Sequence, residues 1–574
     1  MSAAAESKSQ FRVLYRQFLF RIVDLEALSA DALGDSNKLL GQFAALLVVI
    51  SILCSFGISG LIAANDMPSA IRLSLTLFMS HVLVATNMLV VGILAVLSWD
   101  SIFPGRRDVL VLAPLPVRPH NIFLAKLASG ATALGLVIVL MNCATGLIAP
   151  FAFAKSATLL GIVRCFIAYW FTMFTAGLFV YCGLLAIQGF AALFLSRRLF
   201  LRASGFLQMG AFCLFVCVYF LEPQLDSLNV LTAPERRHAL AWLPSYWFFA
   251  LFHQLNGSMR VALEPLAPRA WVSLAVAIIA AAVIYVFSYM RTMRQIVEEP
   301  DITPSFHGFK WLPRFGDNPQ TAIGQFSIRA LARSRQHRLI FAFYLGIGLA
   351  FTILLLQFLA TSSQESGPRA GNVWHQANVP ILVATIMMMV LAVLGARVAF
   401  SFPLELRANW IFRSVGVHDP KKIRIATRRV LLVISAVPVW LLSAGVCFWL
   451  WPWRQAGAHL IVLALLGMIL VDLALWDFRK VPFACSYLPG KSQVNMAVIA
   501  AVILVMLVAQ SVLWEQRALL STGPMIVMLA VVAIVAAGVR RAMVVLARSD
   551  QTALQFEDTD PAALVKLGLS HEES

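Results

Sequence analysis

Residues 71–97 read IRLSLTLFMSHVLVATNMLVVGILAVL, 27 residues with Arg72 as their one charged side chain. As an α-helix at 1.5 Å per residue this run is about 40 Å long. That exceeds the roughly 30 Å of a bilayer's hydrocarbon core. A helix apolar on every face has no water-facing side, so the stretch predicts a membrane span.

Runs of the same kind recur at 39–64, 127–153, 159–195, 203–222, 270–290, 339–361, 379–400, 430–450, 457–476, 494–514 and 523–539. The run at 159–195 is overlong for one crossing, which predicts a tilt or a break near Gly183 or Gly189. Composition agrees: 60% of the 574 residues are hydrophobic and 13% charged, against about 25% charged in soluble domains. The expected fold is an all-α polytopic membrane protein with about twelve transmembrane helices.

The net charge of +17 raises nucleic acid as a partner, but the position of the charge decides the matter. With the N-terminus placed inside, 35 Lys and Arg fall in or beside inner segments and 10 on the opposite side. This is the positive-inside pattern of a membrane protein, so membrane lipid and not nucleic acid is the expected surrounding. The first 38 residues are polar and mixed in charge, so the first span itself is expected to direct insertion. Both termini are expected in the cytoplasm, with the protein in a cell membrane of the bacterial inner-membrane type. Of the eight cysteines, seven fall in spans and Cys485 in a loop, a distribution that suits neither a disulfide framework nor a metal cage.

The chain carries an internal repeat. LAVLSWDSIFPGRRDVLVLAPLPVRPHNIFLAKL (94–127) lies beside LAVLGARVAFSFPLELRANWIFRSVGVHDPKKIRIATRR (391–429). Leu94–Leu97 match Leu391–Leu394, Phe103-Pro104 match Phe402-Pro403, and Arg107, Val117 and Ile122 fall opposite Arg407, Val417 and Ile423. An offset this steady across span, loop and next span indicates two pseudo-repeated six-helix halves in parallel orientation.

Each half opens on a basic amphipathic stretch. In the first, Phe11, Leu14, Phe18 and Ile22 stand at helical spacing among Arg12, Arg16 and Arg21; in the second, Ile323, Phe326, Ile328 and Leu331 stand among Arg329, Arg333, Arg335 and Arg338. Such stretches suit helices lying on the inner leaflet. Residues 293–322, with Pro300, Pro304, Pro313 and Pro319, read as a linker. The expected organisation is an N-terminal segment with its elbow helix (1–38), a first unit (39–292), a linker with a second elbow helix (293–338), a second unit (339–547) and a polar tail (548–574).

Motifs for chemistry are few. Pro489-Gly490-Lys491-Ser492 ends like a phosphate loop, but no earlier glycine of such a loop precedes it and no strand leads into it. No nucleotide site, metal or other cofactor is expected on this chain. Ionisable groups inside spans are the usual mark of ion-coupled transport, and they are scarce. Asp472, Asp477 and Arg397 fall near inner span ends and Arg164 near an outer one, where snorkelling accounts for them. His81, Asn87 and Asn142 are the deeper polar groups. His81 reads as an interhelical hydrogen-bonding residue, because its own span contains no carboxylate.

The loops after the second span of each half combine charge, proline and apolar side chains, as a leaflet helix or a docking surface would. The order of a charged cluster, a Leu-rich stretch, Pro-Leu-Pro-Val and Ile-x-x-Ala-Lys resembles the type 2 ABC exporter permeases. That resemblance implies an elbow helix before each unit and a coupling segment in each loop, seated in a separate cytoplasmic ABC ATPase subunit that binds the ATP. By similarity, Arg106, Arg107, Asp108, Leu110, Leu115 and Pro116 belong to the first coupling segment and Glu405, Arg407, Trp410 and Arg413 to the second. Trp242–Phe248 resembles the outer hairpin before the sixth span, with interfacial anchoring as the alternative. The second half lacks Pro-Leu-Pro-Val and a long outer segment.

The expected role is a transport subunit and not an enzyme: a permease for an amphipathic, lipid-like, drug or peptide substrate. Two rivals stay open. A secondary transporter of the major-facilitator kind shares twelve spans and Gly105-Arg106-Arg107, but has a shorter loop and needs membrane carboxylates. A membrane-embedded lipid-processing enzyme needs a convergent acid, base or metal set.

Overall fold

The computed structural model describes residues 10–19, 36–63, 68–99, 119–156, 158–222, 241–298, 314–365, 375–402, 404, 420–476, 478, 481–483, 508 and 510–549. The chain divides into two compact units, Met1–Phe306 and His307–Ser574, at a point inside the proline-rich stretch. Ten helices among the described residues are long and apolar enough to cross a membrane, and no strand occurs among those residues. The chain is an all-α, multi-pass membrane protein.

The first unit contains α1 (residues 10–19), α2 (Ser36–Ala63), α3 (Ser69–Leu97), α4 (Pro119–Asn142), α5 (Thr145–Phe153), α6 (Leu159–Phe194), α7 (Arg197–Leu221), α8 (Pro244–Asn256) and α9 (Ala267–Glu298). The second contains α10 (Asn318–Arg333), α11 (Arg335–Glu365), α12 (Val379–Ser401), α13 (Pro420–Leu431), α14 (Val437–Leu450), α15 (Trp453–Ala474), α16 (residues 510–519) and α17 (Thr522–Ser549). Expected span 39–64 is helical as α2, and most of expected span 494–514 lies outside the described residues. Pro244, Pro319 and Pro380 stand in the first turns of α8, α10 and α12, where a missing N–H leaves no bond unmade.

Two departures from the sequence reading have physical causes. The run 127–153 is two helices, broken between α4 and α5. The N–H groups of Ala144 and Thr145, freed by the break, both donate to Ser51 Oγ of α2 at 3.0 and 3.2 Å. Non-helical backbone at membrane depth survives only with such partners. The overlong run is the reverse case: α6 continues through Gly183 and Gly189 without interruption. A Cβ at Gly189 would meet Ile284 of α9 at 2.9 Å, so this glycine permits close helix packing and no break.

The long α13–α14 rod passes through a π-helical turn at Leu432–Ala436. Pro438 follows within two residues and has no N–H to offer to the turn before it. Widening that turn keeps the rod continuous.

The aromatic segment before α9 is no interfacial belt. Trp242 is exposed, but α8 is packed inside the unit, with Tyr246, Phe248, Phe249 and Phe252 buried. Its C-terminus is closed by Gly257 in the left-handed conformation and by Arg164, whose Nε donates to Leu255 O at 2.7 Å. Arg164 therefore caps a helix. His253 on α8 is buried, with Nδ1 2.7 Å from Ser258 Oγ. Burial first, then the Arg260 charge, push its pKa from 6.5 down to about 4.

Unfolded chain takes a proton on this imidazole below about pH 6.5, while the folded protein does not until about 4. Stability is therefore full above pH 6.5 and falls as pH drops toward 4, by on the order of 3 kcal/mol in total. Thermal unfolding in detergent should show this slope, and His253→Gln should flatten it over that window.

Candidate functional site

The end of each unit from which its long loop departs (100–118 and 405–419) is here named the loop end, and the opposite one the far end. At the loop end of the first unit, α1 lays Phe18 against Ile122 and Ala125 at the start of α4. Lys126 Nζ stands over the Phe18 ring at 5.1 Å, and Tyr15 Oη donates to Thr132 Oγ1 at 3.0 Å. Arg12 and Arg16 stay exposed. The exit of α3 is also pinned: Trp99 Nε1 donates to Ser204 Oγ at 2.9 Å, and Gln188 Nε2 donates to Trp99 O at 2.7 Å.

The second unit repeats this arrangement. The elbow helix α10 packs against α13, which follows the second loop. Arg429 donates to Phe315 O and to Gln320 Oε1. Gly316 between them has φ +120°, and a Cβ there would meet both Gln320 and Arg429. The match extends to single positions: Ile122 and Ala125 are 5% and 0% exposed, and their counterparts Ile423 and Ala426 are 2% and 0%. The sequence repeat is thus a repeat of buried faces.

Phe483 is the keystone of the second loop end. Its φ is +64°, a conformation that costs a residue other than glycine about 1–3 kcal/mol. Its N–H donates to Phe400 O at 3.1 Å and its carbonyl accepts from Leu404 N–H at 3.0 Å. Its ring packs on Phe326 of α10, His337 of α11 and Phe400 of α12. His337 also holds Phe402 O through Nε2 at 2.9 Å, with Ser334 at its other nitrogen. The start of the second loop is therefore tied to the elbow.

Asp472 was read from sequence as a snorkelling group, and the structure corrects that. It is buried at the end of α15 and held by Arg428 of α13 through two bonds, 2.6 and 3.2 Å. Arg540 of α17 stands 3.3 Å away. Arg397 donates to Ala474 O at 2.7 Å and stacks on Phe478, and Arg424 donates to Leu475 O at 3.2 Å. Four helices are thereby clamped at the loop end of the second unit. Asp477 lies outside the described residues.

Deeper in the first unit the polar groups expected at membrane depth meet. Asn142 Nδ2 donates to Asn87 Oδ1 at 3.0 Å, Tyr169 Oη donates to Asn142 Oδ1 at 2.7 Å, and Asn87 Nδ2 donates to Met173 O at 3.0 Å. His81 stacks on Tyr246 at 4.0 Å and has Glu222 Oε2 of α7 4.0 Å from its Nε2. The carboxylate missing from its own span comes from another. In the second unit His459 Nδ1 stands 2.8 Å from Glu515 Oε1, both side chains being buried. Sequence reading missed Glu222 and Glu515 because both stand at the edges of apolar runs, where a flanking group and a buried one look alike.

The ten residues expected in the coupling segments, Arg106, Arg107, Asp108, Leu110, Leu115, Pro116, Glu405, Arg407, Trp410 and Arg413, lie outside the described residues, as does Lys491. The structure describes the bases on which their loops stand. Among the described residues no group of three or more His, Cys, Asp or Glu is placed to hold a metal ion, and the seven described cysteines are free thiols.

Removing one partner of a buried charge pair strands the other. Asp472→Asn should therefore lower stability by about 3 kcal/mol, measured by unfolding in detergent. Arg540→Ala should cost below about 1 kcal/mol, because that side chain is 43% exposed and its charge is screened. In comparison with known proteins, no family model, curated protein or solved structure matches the chain.

Proposed function

We propose that the chain is the permease of an ATP-driven exporter of the type 2 ABC kind, two fused six-helix units served by ATPase subunits made separately. The loop ends and both termini would face the cytoplasm of a bacterial inner membrane, as the distribution of basic residues favours. The observation that carries this reading is the doubled loop end. In each unit a basic amphipathic elbow helix packs against the helix that follows the long loop.

A partner seated on the loop tips would push on α4 and α13 directly. Elbow helices bonded to those same helices give the push a base to act against, and the Asp472 clamp carries it into α15 and α17. A leaflet helix with no docking role has no need of such bracing. An amphipathic or lipid-like substrate is supported by an open apolar groove of about 460 Å³ on the first unit. Its walls are Leu160, Val163, Ile167, Phe171 and Trp271, with the Arg164 cation at its edge.

A secondary transporter of the major-facilitator kind is the second reading. One ground for setting it aside was a lack of membrane carboxylates, and buried Glu222 and Glu515, each near a histidine, remove that ground. The exporter reading rests on the loops.

Replacing Arg107 and Asp108, or Glu405 and Arg407, with alanine should leave abundance unchanged. Loss of a charge contact across a protein interface costs about 2 kcal/mol or more, so ATPase retained in co-purification should fall at least about tenfold. If Leu110→Ala or Trp410→Ala lowers abundance while the charge variants behave as wild type, the loops are leaflet helices and the exporter reading fails.

A further inference from the structure

We propose that Glu515, His459 and Thr385 form a buried proton-binding site at the far end of the second unit. His459 of α15 stands between the other two: Nδ1 is 2.8 Å from Glu515 Oε1 of α16 and Nε2 is 3.0 Å from Thr385 Oγ1 of α12.

Thr385 offers two hydrogen-bonding arrangements, one of which loads the site. Its hydroxyl donates to the helix carbonyls of Ile381 and Leu382, both at 3.0 Å, and a hydroxyl has one hydrogen to give. With that hydrogen given to a carbonyl, its oxygen accepts from His459, and Nε2 carries a hydrogen in the loaded state proposed here. The 2.8 Å gap between Nδ1 and Oε1 then needs one proton more, because two lone pairs cannot face each other at that distance. Whether that proton rests on nitrogen or oxygen, the pair is neutral overall.

Release has one balanced route. Nε2 gives up its proton, the Thr385 hydroxyl rotates from the helix carbonyls to donate to the bare Nε2, and Nδ1–H stays directed at a Glu515 carboxylate. The Nε2 proton passes to an external base, water or hydroxide; the other proton settles on Nδ1, an O–H bond breaking if it had rested on Glu515, and the pair becomes singly negative. Thr385 is the rotor that makes both states hydrogen-bonded.

The surroundings favour the loaded state. Glu515 Oε2 is buried with no hydrogen-bond partner among the described residues, and an ionised carboxylate in such a place is costly. Around the pair, α14 presents the Cys447 thiol within electrostatic range of Glu515, and Trp451 after α14 lays its ring edge on His459 at 5.6 Å. On α15 the nearest cation is Arg454, engaged with Thr522 Oγ1; α16 carries Arg517; α17 presents Met528, packed on Val462 and Ala518.

The first unit also places a buried carboxylate near an imidazole. Glu222, at the far end of α7, accepts from Ser245 Oγ at 2.6 Å and stands 4.0 Å from His81. In each unit a buried carboxylate thus stands near an imidazole from another helix, at 4.0 Å in the first and 2.8 Å in the second. Proton occupancy of the second pair would link conformational change in that unit to pH, whichever energy source drives transport.

The test is nitrogen NMR of the full chain in lipid nanodiscs with ¹⁵N-labelled histidine. His459 is assigned by the resonance lost in His459→Gln, or, if that variant does not fold, by the one shifted in Thr385→Ser. The expected spectrum has His459 protonated at Nε2 and sharing a proton at Nδ1 at neutral pH. It should become a single neutral tautomer in Glu515→Gln. A bare Nε2 at neutral pH in wild type would overturn the proposal, as would a His459 signal indifferent to Glu515→Gln.

Discussion

Inside a bilayer there is no water to hydrogen-bond an exposed polar group, and this one constraint organises the protein. Each backbone polar group at membrane depth must find a partner within the chain, and polar side chains that bond across helices act as fixed joints between otherwise interchangeable apolar helices. Ser51 closes the break between α4 and α5. Asn142 joins α3, α4 and α6. Thr385, His459 and Glu515 join α12, α15 and α16. Van der Waals packing fills the space between these joints, as close approach at Gly189 shows.

The same constraint decides what was legible in the sequence. Spans could be read because an apolar run of twenty residues or more has one stable solvent, and the elbow helices because Phe11, Leu14 and Phe18, or Ile323 and Leu331, repeat at helical spacing. The matched burial of Ile122 with Ile423 and of Ala125 with Ala426 was implicit in the repeat. What stayed hidden depends on tertiary partners. Nothing local distinguishes Asp472 as a clamp from a snorkelling carboxylate until Arg428 and Arg540 arrive from other helices. Glu222 and Glu515 look like span edges until neighbouring elements cover them. Gly183 and Gly189 suggested a break because glycine's tolerance was visible and its neighbour Ile284 was not.

The loop ends unite the fold with the proposed function. Their rigidity is concentrated where the loops begin and end: Trp99 and Phe483 at the exits of the second helices, and Ile122 and Arg429 at the re-entry points. Phe483 keeps an unfavourable backbone conformation because three rings and two backbone bonds hold it. Strain retained at one such point, beside a loop expected to meet a partner, suits a base that must not yield when the loop is loaded.

The proposed function requires the long loops of both units to lie on one side of the membrane, in the cytoplasm. Single cysteines introduced as Leu110→Cys and His418→Cys in a cysteine-free background test this most directly. Both should resist a membrane-impermeant thiol reagent applied to intact cells, and both should react once the membrane is opened. Labelling of either position from outside in intact cells would contradict the parallel duplication and the function proposed from it.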